Sequence, residues 1–157
     1  MIAEVMASIL ALRGHAPVIT VIAGTVGCFG GMSIAAGLSS YMVMTVDARL
    51  GLNGPEVIEQ ESGIEEFDSS DRALIWAING GEQRVDMGVA DELVLDDVQK
   101  IAAAVQRYVK AGLPKIHRSR QVELYRERIA ALDTSQQIDP LSLRKSWNKK
   151  TEKGVAR

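Results

Sequence analysis

The chain is poor in cysteine and in aromatic residues, and each shortage narrows what it can do. Cys28 is the one cysteine in 157 residues, so an internal disulfide and a cysteine metal cluster are excluded and a reducing compartment is favoured. Aromatic residues make up 4% of the sequence, too few for the stacking surfaces that bind single-stranded nucleic acid. We therefore predict an aliphatic core and no nucleic-acid partner.

Long uniform apolar runs are also lacking. Residues 16–44 form the longest apolar stretch, but glycines interrupt it repeatedly, unlike a membrane-spanning helix. Met1 is followed by Glu4 and reaches Arg13 only after an apolar stretch, which is the reverse of a secretory signal. The expectation is a cytoplasmic protein without a membrane partner. No P-loop or dinucleotide-binding glycine spacing is present, and we predict neither a nucleotide nor a metal.

Charge is distributed unevenly along the chain. Residues 1–114 carry 7 basic and 15 acidic groups, whereas residues 115–157 carry 11 basic and 5 acidic groups. A basic tail favours either contact with an acidic partner surface or simple solvation. We divide the chain accordingly into a domain over 1–114 and a basic C-terminal helix and tail over 115–157.

The first half of the chain alternates helix and strand patterns. Apolar positions at helical spacing predict a helix over residues 2–13. The run "APVITVIAG" is β-branched and continuously apolar, which is typical of a strand buried on both faces. A short helix of small residues is expected from Met32 to Ser39, and "SYMVMTVD" predicts a second buried strand. This order is that of an α/β protein.

Turn residues divide the middle of the chain. An Asn53-Gly54 turn is followed by Pro55, which suits the first position of a helix because its missing N–H costs nothing there. Residues 60–70 are acidic and predict a surface loop, with an N-cap at Ser69 or Ser70 for the helix "DRALIWAIN". The pair Gly80-Gly81 is expected to end that helix.

The last third contains one strong helix and then loses its pattern. A short strand is predicted in "MGVADELVLDD", and "DDVQKIAAAVQRYVKAG" has capping aspartates, an apolar face and a terminal glycine. Residues 118–132 predict a further amphipathic helix. Residues 133–157 show no periodicity, so the last 20 or so residues are expected to be mobile or docked on a partner, with Trp147 as a candidate anchor.

Three segments, taken in order, resemble the second half of the crotonase and carboxyltransferase superfamily. They are "PVITVIAGTVGCFGGMSIAAGLSSYMVMT", "ARLGLNGPEVIEQ" and "MGVADELVLDDVQKIAAAV". Within that superfamily "NGPEVIEQESGIEEFDSSDRALIW" is most similar to malonate decarboxylase beta subunits, and "GPEVIEQ" is similar to the "GPRVIEQ" of acetyl-CoA carboxylase carboxyltransferases. The resemblance covers about residues 1–110.

The resemblance implies an α/β crotonase-like spiral fold, present as its C-terminal half, because such subunits are close to twice as long. It further implies decarboxylation of a malonyl thioester on an acyl-carrier protein to the acetyl thioester. The implied partners are a gamma-like decarboxylase subunit and the acyl-carrier subunit. No cofactor is expected to bind this chain directly; the coenzyme-A-derived prosthetic group belongs to the carrier.

The same resemblance places the candidate site at two glycine-containing turns. Backbone amides at Gly30-Gly31 are expected to hold the oxygen of the enolate that forms when carbon dioxide leaves, although the sequence does not say which of the two amides points inward. A sterically required turn is the alternative. Gly54 and Pro55 are expected to bind substrate.

Glu56 follows that second turn and is a candidate to supply the proton or orient a water, or is simply a helix-start glutamate favoured by the helix dipole. The second carboxylate of crotonase-type hydratases is missing, since residues 32–34 are Met, Ser and Ile. Decarboxylation needs no base to begin. Cys28 lacks a local histidine partner, and neither His15 nor His117 enters the predicted site.

Two other functions remain open. One is the carboxyltransferase subunit of a biotin-dependent acyl-CoA carboxylase, which uses the same enolate chemistry in the opposite direction; Glu56 in place of that family's arginine argues weakly against it. The other is a non-catalytic module that docks a partner. A half-fold is also expected to leave an open sheet edge and to self-associate.

Overall fold

A computed structural model describes residues 1–135 and 138–149. It contains eight α-helices and three β-strands within those residues, plus one 3-10 turn. In chain order the elements are α1 (Ile2–Leu12), β1 (Ile19–Ile22), α2 (Gly31–Gly37), β2 (Tyr41–Thr45), α3 (Pro55–Ser62), α4 (Arg72–Asn79), α5 (Gly81–Asp86), β3 (Glu92–Val94), α6 (Val98–Ala111), the 3-10 turn (Arg118–Arg120), α7 (Val122–Ala130) and α8 (Pro140–Lys149).

The sheet is parallel, and its strands lie in the order β1-β2-β3. β2 is central, and Met42, Val43 and Met44 on it are at most 1% exposed. β1 was expected to be buried on both faces, and that is wrong: it lies at an edge, and Val21 is 37% exposed. The apolar run marks the strand correctly, but the described residues pair with only one of its two edges and leave Val21 partly exposed.

Helices flank this small sheet, as predicted. α6 packs against β1, β2 and β3, α5 packs against β2 and β3, and α1 contacts α2. The core forms where β1 and β2 meet α2 and the segment that follows β2; its buried members are Ile22, Ala36, Met42, Met44, Ala48, Leu50 and Ala90. All seven are aliphatic or methionine, which agrees with the low aromatic content.

The ends of α6 follow the sequence signals, whereas those of α3 and α4 depart from them. The predicted α6 is confirmed, with the Asp97 carboxylate accepting from the amides of Gln99 and Lys100 and Gly112 at the other end. The N-cap of α4 is neither Ser69 nor Ser70: Asp71 accepts from the Leu74 amide at 3.0 Å. An aspartate one residue later does the same capping, and α3 also extends into the predicted loop as far as Ser62.

Two helices were missed. Gly80 does end α4, but Gly81 begins α5 immediately, so the glycine pair is a corner between helices and not a stop. α8 occupies residues that were expected to be mobile or docked on a partner. Trp147 on α8 is 5% exposed and donates to the Met87 carbonyl at 2.9 Å, so its ring is covered by this chain and does not anchor a partner. Residues 136–137 and 150–157 lie outside the described part.

The segment after residue 114 packs on the loop that precedes β3. Arg118 donates to the Val89 carbonyl at 2.6 Å and pairs with Asp91, and the Tyr125 hydroxyl donates to the Gly88 carbonyl at 2.7 Å. On α8, Arg144 lies 2.9 Å from the Asp86 carboxylate. Part of the basic charge of 115–157 therefore pairs with the acidic body of the same chain.

No helix in the described residues is both long and apolar enough to cross a membrane. The same residues contain no group of three metal-ligating side chains placed to hold an ion.

Candidate active site

A glycine turn joins the loop after β1 to the start of α2. Gly30 has φ 61° and ψ −139°, a conformation that essentially only glycine adopts, and it forms the N-cap of α2. Its carbonyl accepts from the Ser33 amide at 3.1 Å and from the Ser33 hydroxyl at 2.7 Å. The backbone of Gly30 is therefore fixed from the helix side.

A short parallel pairing fixes the turn from its other side. The Cys28 amide donates to the Arg49 carbonyl at 2.8 Å, the Gly51 amide donates to the Cys28 carbonyl at 3.2 Å, and the Gly30 amide donates to the Leu52 carbonyl at 2.7 Å. The Gly30 amide is thus already occupied. The amides of Gly31 and Met32, the first two helical residues, have no acceptor among residues 1–135 and 138–149.

Gly31 has a close neighbour of its own, the flexible end of the Ile2 side chain. A Cβ there would lie 2.6 Å from Cδ1 of Ile2, so α1 approaches the first turn of α2 closely. On the other side of the turn, the groups available to a ligand are the backbone amides of Gly31 and Met32. A pair of free amides at a helix start is suited to an anion or a developing oxyanion.

The Gly54-Pro55 loop lies beside this turn because the Leu52 carbonyl holds Gly30. The Gly54 carbonyl accepts from the amides of Val57 and Ile58, so the loop leads directly into α3, and Pro55 is buried at the first helical position as predicted. Glu56 is exposed in that first turn. No hydrogen bond between described residues joins Glu56 to Gly30 or Gly31, so the structure brings the two loops together but not that carboxylate to the amides.

Arg49 supports the glycine-rich loop and was not found from the sequence. Its Nη2 donates to the carbonyls of Thr25 at 2.7 Å and Val26 at 3.2 Å. The guanidinium carbon lies 4.6 Å from the centre of the Trp76 ring and 5.7 Å from that of Phe29. Trp76 of α4 covers this cation, and the only sequence signal for Arg49 was its position beside an apolar run.

Arg84 fixes the backbone at Leu50, two residues before the Leu52 carbonyl that accepts from the Gly30 amide. Its Nε donates to the Leu50 carbonyl and its Nη2 to Asn79 Oδ1, both at 2.8 Å, while the Leu50 amide donates to the Asn79 carbonyl at 2.8 Å. Burial lowers the pKa of Arg84. This role could not be predicted from local pattern because α5, which carries Arg84, was itself missed.

Cys28 and the histidines do not form a nucleophilic site. The Cys28 thiol is half-buried, and burial raises its pKa, which disfavours the reactive thiolate. His117 lies in the turn after α6, where Nδ1 is 3.0 Å from the Ser119 hydroxyl. Burial lowers the pKa of His117, and the charges of Arg13 and Arg118 lower it further.

No family model matches the chain. The "Malonyl-S-ACP:biotin-protein carboxyltransferase MADC" of Malonomonas rubra is 36% identical over 148 residues, which are 92% of this chain and 46% of that protein. A chain of the crystal structure of a Pseudomonas malonate decarboxylase hetero-tetramer in complex with malonate is 52% identical, with a TM-score of 0.88, over 92% of this chain and 52% of that one. A transcarboxylase 12S structure is 27% identical, with a TM-score of 0.51, over 65% of this chain and 18% of that one.

These likenesses, together with the sheet and the glycine turn, define a crotonase-like fold of the carboxyltransferase kind. Within that class the chain is similar to a chain of the Pseudomonas malonate decarboxylase, and it spans about half the length of that relative and of the Malonomonas one.

Proposed function

We propose that the chain is the C-terminal half of the beta subunit of a malonate decarboxylase. The similarity to a chain of the Pseudomonas hetero-tetramer supports the choice of this enzyme, since the sequence identity is 52% over 92% of this chain. In this proposal the substrate is a malonyl thioester on an acyl-carrier protein, and the product is the acetyl thioester. The remaining half of the site would come from the other half of the subunit fold and from a partner subunit.

The proposed reaction begins with cleavage of the bond between the carboxylate carbon and the methylene carbon. Its electron pair forms the enolate double bond, negative charge moves to the thioester oxygen, and carbon dioxide leaves. A fixed N–H donor near that oxygen lowers the barrier because its alignment costs nothing during the reaction. The observation that carries the proposal is that the Gly30 amide is bonded to Leu52 whereas the Gly31 amide is free to act as this donor.

The enolate carbon then needs one proton. Glu56 is the proposed donor, directly or through a water, because it lies in the loop that Leu52 ties to the glycine turn. Gly54 and Pro55 would bind the substrate beside it. Since Glu56 is exposed and no hydrogen bond joins it to the turn, the proposal assigns to a partner subunit the closure that brings it to the substrate.

The partners follow from the same proposal. A gamma-like subunit would cover the site, and an acyl-carrier subunit would present the malonyl group on a coenzyme-A-derived arm, so this chain itself would bind no cofactor. The Pseudomonas relative is described as a hetero-tetramer, which supports an assembly of unlike subunits. We place the assembly in the cytoplasm.

Transfer of the carboxyl group to biotin is the second candidate. The Malonomonas relative is named as a biotin-protein carboxyltransferase, and the enolate step is common to both reactions. The two differ in the fate of the carboxyl group, which is released as carbon dioxide in the first and received by a biotin nitrogen in the second.

The test removes a single N–H. Proline is tolerated at the first position of a helix, so Gly31→Pro deletes the amide hydrogen with little change of backbone, and Ile2→Ala makes room for the added ring. The matched control is Ile2→Ala with Gly31→Ala, which adds a Cβ but keeps the amide. The chain, within its full-length subunit where it is part of one, is assayed with the gamma-like and carrier subunits on malonyl thioester.

We expect the proline variant to lose about 100- to 1,000-fold in kcat relative to the alanine variant, with the complex still assembled. Equal kcat in the two variants would reject Gly31 as the donor. Addition of biocytin separates the candidates: turnover that requires it would replace decarboxylation by carboxyl transfer. Partner binding without turnover in the parent complex would favour the docking module.

A further inference from the structure

A cleft of about 410 Å³ opens between α2, β2 and the segment that follows α6. This is within the size range of sites for small molecules. Its walls are largely apolar and are formed in part by Met42, Leu50, Leu52 and Val89. The cleft lies behind the glycine turn, because Ser33 and Leu52 border it and both are hydrogen-bonded to Gly30.

Two guanidinium groups border the cleft, and they differ in how their charge is balanced. Arg118 pairs with the Asp91 carboxylate. Arg84 donates only to the neutral oxygens of Leu50 and Asn79, and no carboxylate of the described residues lies within ion-pair distance of it. A half-buried cation without a counter-charge is unfavourable, so an anion that reached Arg84 would gain a strong partner.

The lining of the cleft decides from which side such an anion approaches. Arg84 also borders a second cavity, of about 530 Å³, but Glu66 and Asp139 border that cavity too and would repel an anion. Among the described residues, the 410 Å³ cleft is bordered by the two arginines and by no acidic side chain. Charge therefore favours the cleft behind the glycine turn.

We propose that this cleft binds a small organic anion, namely a monocarboxylate with a short apolar chain. The carboxylate pairs with the Arg84 guanidinium, and the chain lies against Met42, Leu50 and Leu52. An anion without an apolar part would leave these walls uncovered, and a neutral molecule would leave Arg84 without its counter-charge. The site is independent of the decarboxylase proposal.

The experiment titrates the full 157-residue chain with sodium butyrate, by calorimetry and by NMR at constant ionic strength. 1-Butanol supplies the same chain without the charge, and inorganic phosphate supplies charge without the chain. We expect saturable binding of butyrate, with shifts at Gly37, Gly51 and Ser119, and at least tenfold weaker binding of the other two. Failure of butyrate to saturate, or equal binding of phosphate or butanol, would overturn the proposal.

Two variants locate the site. Arg84→Met removes the charge but also two hydrogen bonds, so Gly37→Leu provides an independent block: Gly37 borders the cleft, and a Cβ there meets no atom within 4 Å. Gly14→Leu is the matched control, because Gly14 has equally open surroundings and does not border the cleft. Both Arg84→Met and Gly37→Leu should weaken butyrate binding at least tenfold. Unchanged binding to Gly37→Leu, or an equal loss in Gly14→Leu, would refute the location.

Discussion

At the scale of single residues, the adjacent glycines Gly30 and Gly31 have different structural roles in the turn. Gly30 is required by its backbone conformation and gives its amide to Leu52, whereas Gly31 lies against the end of the Ile2 side chain and keeps its amide free. The sequence identified the pair but not this division, because the division depends on a segment about twenty residues later in the chain. The proposed donor follows from that long-range bond.

Asp71 offers a test of the capping assignment at this scale. Asp71→Ala should destabilise the fold by about 1 kcal/mol, because the Leu74 amide loses its acceptor. Ser70→Ala, at the position first predicted for the cap, should change the free energy of unfolding by less than about 0.5 kcal/mol, since the Ser70 hydroxyl makes only an exposed bond to Asp68. Urea unfolding of both variants measures this. A larger loss for Ser70→Ala would show that the cap lies there.

At the scale of elements, the sequence predicted what has strong local signals. α1 and α6 have clear apolar spacing, and Asp97 and Gly112 mark the ends of α6. α5 was missed because its six residues, which begin at the second glycine of the pair, are too few to show a periodicity. α8 was missed because its contacts, such as Trp147 on Met87 and Arg144 on Asp86, are made with residues far away in the chain. Elements that depend on tertiary contacts cannot be read from local pattern.

His117 caps the 3-10 turn at Arg118–Arg120, and its protonation makes the stability of the fold depend on pH. Nδ1 of His117 accepts from the Ser119 amide at 3.2 Å, and burial together with Arg13 and Arg118 lowers the His117 pKa. Because the unfolded chain then binds the proton more readily than the folded one, stability falls as pH decreases below about 6.5.

His117→Asn provides the control, since asparagine can cap the same turn without titrating in this range. Urea unfolding at pH 7.5 and at pH 5.5 should show a larger loss for the parent chain than for His117→Asn. Equal losses in the two proteins would assign the pH dependence to other groups.

At the scale of the whole molecule, the α/β class and the three strands were correctly predicted, whereas the parallel pairing of the strands comes from the structure. The burial of β1 was wrongly predicted, because β1 lies at the edge of the described sheet and has a neighbouring strand on one side only. Exposed apolar side chains lie near this edge, among them Val21 at 37% and Val26 at 86%. An open strand edge beside apolar surface is a site for pairing with another chain.

We therefore expect the isolated chain to self-associate at micromolar concentration in sedimentation velocity. Val21→Lys should shift it towards a species of 17.0 kDa, because a charged residue on an edge strand opposes pairing. Val122→Lys changes an exposed valine on α7 and should leave association intact. A parent chain that sediments as a sharp monomer would contradict the prediction.

The order of the strands in space is also their order in the chain. During synthesis each strand can therefore join the one before it as it leaves the ribosome, and none has to be inserted between two that are already paired. At about 5 to 20 residues per second, β1 waits only a few seconds for β2. The outer edge of β1 pairs with no later strand of the described sheet, so this edge stays open while β2 and β3 are added.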